Sequence, residues 1–119
     1  MPGGRRLQQG QRCEVWLADA ATGERELVHA TDGLLLEAPH WTPDGCRLVL
    51  NGDGRLWTLD LADRRLEPLP ATGLPPVNND HVLATDGRHL HASADDGHVY
   101  RIGLHGGPAS RITLDDGWS

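Results

Sequence analysis

Seven histidines are the most concentrated source of chemistry in this 119-residue sequence, and five of them, His81, His89, His91, His98 and His105, fall within one stretch. On a strand, His89 and His91 share a face, a spacing at which two imidazoles could reach one metal ion. Their neighbours along the strand add no further ligand. The pair therefore reads as solvated or hydrogen-bonding strand residues, and no metal or other cofactor is expected. The serines are Ser93, Ser110 and Ser119, and none sits in a Gly-x-Ser-x-Gly elbow. Asp95-Asp96 and Asp115-Asp116 are adjacent, so their carboxylates point apart and read as turn residues bonding their own backbone. No glycine loop opens a helix that could hold phosphate. The remaining polar cluster is Asn78, Asn79, Asp80 and His81, and His40, from the preceding repeat, joins it as a residue that could line the channel. These five are the candidate partner-binding residues. The competing reading is that Asn and Asp only make the turn after Pro75-Pro76. Trp41, beside His40, is expected to pack between structural units.

The elements that must position these residues come from a repeat. The stretch from Glu37 to Leu61 returns, degraded but in register, from His81 to Leu104. Thr42-Pro43-Asp44-Gly45 is a turn, in which Pro presets φ, Asp bonds its own backbone two residues on, and Gly tolerates positive φ. Arg47 to Leu50 then reads as a strand, Gly52-Asp53-Gly54 as a hairpin connection, and Arg55 to Leu61 as a second, alternating strand. Arg64 to Leu69 supplies an outer strand, where Pro68 is tolerable because an edge need not donate everywhere.

Trp16, Trp57 and Tyr100 lie 41 and 43 positions apart. That period belongs to four-stranded propeller blades. Residues 1–11 are expected to be a mobile leader and residues 12–119 a partial β-propeller. Within it, residues 12–30 form an outer half blade, residues 34–72 a full blade, and residues 78–115 a second full blade ending in the strand from Ala109 to Thr113. Trp118 stands where another innermost strand would start. The fold class is thus all-β, about two and a half antiparallel blades.

Composition narrows the function classes. The net charge is −6 with pI near 5.5, and the arginines are dispersed, which argues against nucleic acid and against an anionic membrane. The leader has two arginines without a following apolar run, so a cytoplasmic location is expected. Cys13 and Cys46 have no metal-like spacing and read as reduced thiols.

The pattern Pro39-x-Trp41-Thr42-Pro43-Asp44-Gly45-x-x-Leu48, the segment from Asn78 to His81, and the ending from Gly107-Pro108 to Leu114 resemble the PD-type, WD-repeat-like repeats of TolB-like β-propellers. The resemblance implies partner docking on the top surface and central channel, and a non-enzymatic interaction scaffold. Its alternative is the substrate-gating propeller of a hydrolase or peptidase whose catalytic domain is absent from this chain, since some members are joined to serine peptidases. The stretch from Ser93 to Tyr100 also resembles the Asp-box turn of sialidase-type propellers, which folds a hairpin and is not catalytic. The second turn, Ala84-Thr85-Asp86-Gly87, departs from the pattern by lacking Pro. Two and a half blades cannot close a ring, because closure takes about four to eight. The chain is therefore expected to be a truncated, split or self-assembling part of a propeller, with a two-fold dimer as the simplest closed assembly.

Overall fold

The computed structural model describes residues 7–113; residues 1–6 of the leader, and with them Asp115, Asp116 and Trp118, lie outside the described residues. Among the described residues every regular element is a strand. β1 (Cys13–Ala18) and β2 (Arg25–Thr31) pair as a two-stranded antiparallel sheet. β3 (Glu37–Trp41), β4 (Arg47–Gly52), β5 (Arg55–Asp60) and β6 (Leu66–Pro68) form a four-stranded sheet in chain order. After β7 (Ala71–Thr72), the strands β8 (Val77–Leu83), β9 (His89–Ala94) and β10 (Val99–Gly103) form a second sheet, closed on its outer side by β12 (Ser110–Arg111). β11 (Gly107–Pro108) lies parallel to β7.

Local chemistry explains the turns. In the β3–β4 connection Gly45 N donates to Thr42 O at 2.9 Å with φ +73°, and the Asp44 carboxylate accepts from Cys46 N and from the Thr42 hydroxyl. That hydroxyl bond, with the Cys46 amide, holds the Asp44 carboxyl below its ordinary pKa. Asp53 and Gly54 both take positive φ, the two-residue hairpin geometry that matches strand twist. In the second repeat the Thr is replaced by Ala84. Here the Asp86 carboxylate accepts from Arg88 N and from the His89 ring, which depress its pKa to about 2.

Alternation along β4 builds two cores at once. Leu48 and Leu50 face the β1–β2 sheet and bury against Cys13, Val15, Val28, Leu36 and Leu59. Val49 faces the other way and, with Leu56 and Leu69, packs against Val77, Leu90, Ala92 and Ile102 of the second four-stranded sheet. The period of two thus converts one strand into the shared wall of two apolar layers. Leu7, from the end of the leader, packs on the first of these layers. Cys13 is buried and Cys46 exposed, and both are free thiols.

The parallel β7–β11 pair is absent from the sequence reading. Its rungs, Gly107 N to Pro70 O at 2.7 Å and Ala109 N to Thr72 O at 2.8 Å, tie the end of the second sheet to the linker that enters it. Gly-Pro and Ala-Thr dipeptides carry no strand signal of their own; the pairing follows from the two sheets stacking.

Candidate functional site

The five candidate residues lie on β3 and β8, the strands forming the same edge of the two four-stranded sheets. Each strand is interrupted by a bulge. On β3, Glu37 and His40 oppose Asn51 and Val49, leaving one extra residue, and Ala38 takes φ +55°. On β8, Val77 and His81 oppose Ala94 and Ala92, so residues 78–80 exceed what β9 can pair. Bulges re-aim the side chains that follow them. Here they turn His40 and His81 toward each other across the seam between sheets, with ring centroids 4.8 Å apart and planes at 69°.

Asp80, His81 and His40 share one open groove of about 390 Å³, with Val82, His91, Ser93 and Val99 on its walls. Asn78 is spent locally: its Oδ1 accepts from Asp80 N at 2.9 Å, and its Nδ2 reaches Ser93 Oγ at 3.4 Å. That is the turn-making role weighed for it in the sequence. Asn79 continues β8 between them. His91, Ser93 and Val99 were not singled out as partner contacts. The signal was available in the ladder, since the position equivalent to Val49, which meets the next sheet, is His91.

His81 is 3% exposed, and neither ring nitrogen has a hydrogen bond of ordinary geometry. Its pKa is lowered, first by burial and then by the neighbouring His40, against the opposing pull of the Val49 and Ala38 carbonyls and Asp80. The ring is therefore neutral at pH 7, presenting one donor and one acceptor. A folded-state pKa below the unfolded value, near 6.5, means the unfolded chain binds protons first. Stability is complete above that pH and declines as pH falls through it. The melting temperature should drop between pH 7.5 and 5.5 as the unfolding free energy falls by up to about 1.4 kcal/mol per pH unit. His81→Phe should flatten that slope; an equally steep one in the variant would assign it elsewhere. Asp44, Asp86 and Asp96 are shifted downward and contribute their pH dependence only in the carboxylate range.

The metal reading of His89 and His91 finds no support in geometry. The two share a face of β9, but His89 bonds Asp86 while His91 lines the groove, and no group of three or more ligands converges among the described residues. Asp96 acts as a hairpin residue. Its carboxylate accepts from His98 N and from the Tyr100 hydroxyl, which lowers the Asp96 pKa and raises that of Tyr100. Trp41 departs from expectation: it is 51% exposed and does not pack between sheets. Its ladder equivalent, Leu83, packs against the sheet before its own, whereas among the described residues the sheet before Trp41 has only β1 and β2.

Against this geometry stand two similarities. The uncharacterized protein Atu1656 of Agrobacterium fabrum is 36% identical over 95 residues, which are 79% of this chain and 30% of that protein. The solved structure of "putative TolB from Agrobacterium tumefaciens" superposes with a TM-score of 0.76 and 30% identity, over 86% of this chain and 38% of that one. No family model matches. The architecture is TolB-like and all-β, and the chain spans well under half of either protein it resembles. No described helix is long and apolar enough to cross a membrane.

Proposed function

We propose that this chain is a non-enzymatic interaction scaffold: an open arc of TolB-like propeller that associates through its two end faces and presents the His40–His81 groove to a protein partner. The observation that supports this is where the exposed large apolar side chains fall. Trp16 and Leu27 lie on the face of the β1–β2 sheet turned away from the arc, and Val82 and Ile112 on the outward face of the last sheet. Ile112 is 38% exposed, whereas its ladder equivalent Leu69, in the internal sheet, is 6% exposed because another sheet covers it. Exposed apolar area of this kind favours association, and a head-to-tail contact would repeat the packing already used between the four-stranded sheets. The resemblance to a TolB structure supports a docking role for the assembled surface, since that is the role the fold resemblance implies. The location proposed remains cytoplasmic.

Light scattering coupled to size exclusion tests the association directly. We expect a two-chain mass that gives way to one chain in Ile112→Glu, where a carboxylate is placed on the end face. A single-chain mass at every concentration would overturn association between copies.

A further inference from the structure

We infer that the His40–His81 groove takes the guanidinium of an arginine side chain carried by the protein partner. The inference rests on the reading of this groove as a partner surface, and names what enters it. The first observation is an uncompensated charge. Asp80 is exposed and supplies the only carboxylate among the described residues that line the groove, where no arginine or lysine joins it. It stands in the β8 bulge with no residue of β9 opposite it, so the carboxylate has no cross-strand partner. The ion pairs among the described residues are made by Glu14, Glu26, Glu67 and Asp86 instead. Arg101 stands opposite His91 on β10 but does not line the groove.

The second observation is a set of buried polar atoms that lack partners. Both ring nitrogens of His81, and Nε2 of His91, are buried without a hydrogen bond of ordinary geometry among the described residues. His81 lines the groove although it is more than nine-tenths buried. Burial and the neighbouring His40 keep its ring neutral, and a neutral imidazole brings one N–H and one lone pair. The Ala38 and Val49 carbonyls beside it are two acceptors for that single N–H. Buried lone pairs next to an unpaired carboxylate ask for a ligand that is cationic and donates in several directions.

Charge excludes the opposite class. An anion would meet Asp80 on a chain of net charge −6, and a neutral hydroxyl group would leave the carboxylate without a counter-charge. Between the two cationic side chains the walls decide. Val82 and Val99 present apolar surface beside the polar atoms. A lysine ammonium is compact and strongly hydrated, so it sheds water there at high cost. A guanidinium is flat, more weakly hydrated, and carries five N–H donors in its plane. Its edge suits a carboxylate, and its faces suit valine and imidazole.

The probe is the capped tripeptide acetyl-Gly-Arg-Gly-amide, titrated into the full chain labelled for NMR of backbone amides and histidine rings. We expect saturable shifts at Asp80, His81 and His91, with a Kd on the order of 1 mM for this single side chain. Citrulline in place of arginine keeps the shape and removes the charge, and should weaken binding by about tenfold or more. Lysine in its place should weaken it by about threefold or more. Asp80→Asn should weaken the arginine peptide by about tenfold at an unchanged melting temperature, since the side chain is exposed. Equal binding by the citrulline or the lysine peptide, or full affinity in Asp80→Asn, would overturn the inference. So would shifts centred on Glu24 and Glu26, which would mean unspecific attraction to acidic surface. Binding of a glutamate peptide in place of the arginine one would overturn the guanidinium yet keep the groove as a partner surface. Silence of the groove signals toward every one of these peptides would remove both. The two-chain mass is tested at Ile112, outside the groove lining, so association between copies stands or falls independently of either result.

Discussion

Leu90→Ala is expected to lower the unfolding free energy by about 2–5 kcal/mol, the range for a leucine emptied from a core that cannot fully collapse. Leu90 is wholly buried on β9, opposite Ile102 on one side and Leu83 on the other, in the layer that joins the two four-stranded sheets. That layer is the main apolar contact between them, and a domain of this size is stable by only about 5–15 kcal/mol. Urea unfolding at unchanged slope measures the loss. Thr85→Ala, at an exposed residue in the turn between β8 and β9, should stay within about 0.5 kcal/mol. Comparable losses in the two variants would mean that the sheets do not share one cooperative core.

The parts of the fold that could be read from the sequence are those where local chemistry and burial agree. Thr42-Pro43-Asp44-Gly45 specifies its turn through bonds that span only a few residues, and Gly52-Asp53-Gly54 specifies its hairpin through positive φ. Such bonds form regardless of what packs above them. β5 was legible from its alternation, whereas β4, buried on both faces, was legible as a short apolar run bounded by the turn before it and the hairpin after it. The spacing of those units pointed to four-stranded blades, the Pro-Asp-Gly turn with its aromatic carried the resemblance to TolB-like propellers, and the structural similarity agrees with it.

The site was less legible because it depends on register between strands that are distant in sequence. Asn78, Asp80 and His81 look equivalent in the chain. The bulge after Val77 separates them, folding Asn78 back onto Asp80 N while burying His81 against His40. Nothing local to Asn78-Asn79-Asp80-His81 announces how many residues β9 will leave unpaired. Trp41 failed for a different reason. Its sequence context is that of a packed residue, and its exposure is decided by the inner strands that β1 lacks among the described residues. A pattern can say which face of a strand is apolar, but not whether anything stands in front of it.

The parallel β7–β11 pair leads to the second large expectation, at Gly106. This residue has φ +95°, and a Cβ there would lie 2.4 Å from the Pro70 carbonyl oxygen and 2.7 Å from Pro70 Cγ. The carbonyl cannot simply move aside, because it accepts from Gly107 N at 2.7 Å and so forms the first rung of the pair. Gly97 offers the comparison, with φ +87° and nothing within 4 Å of the added carbon. Gly97→Ala should cost only the left-handed backbone penalty, about 1–2 kcal/mol. Gly106→Ala should add about 1–3 kcal/mol for the overpacking, and should speed amide exchange at Gly107 and Ala109, whose bonds are the rungs. The linker held by those rungs runs directly into β8, so loosening it would also loosen the register that places His81 against His40. We therefore expect Gly106→Ala, unlike Gly97→Ala, to flatten the pH dependence of melting along with lowering its midpoint. Equal destabilisation by both substitutions, with exchange at Gly107 unchanged, would show that Pro70 yields freely and that β8 is positioned by its own ladder alone.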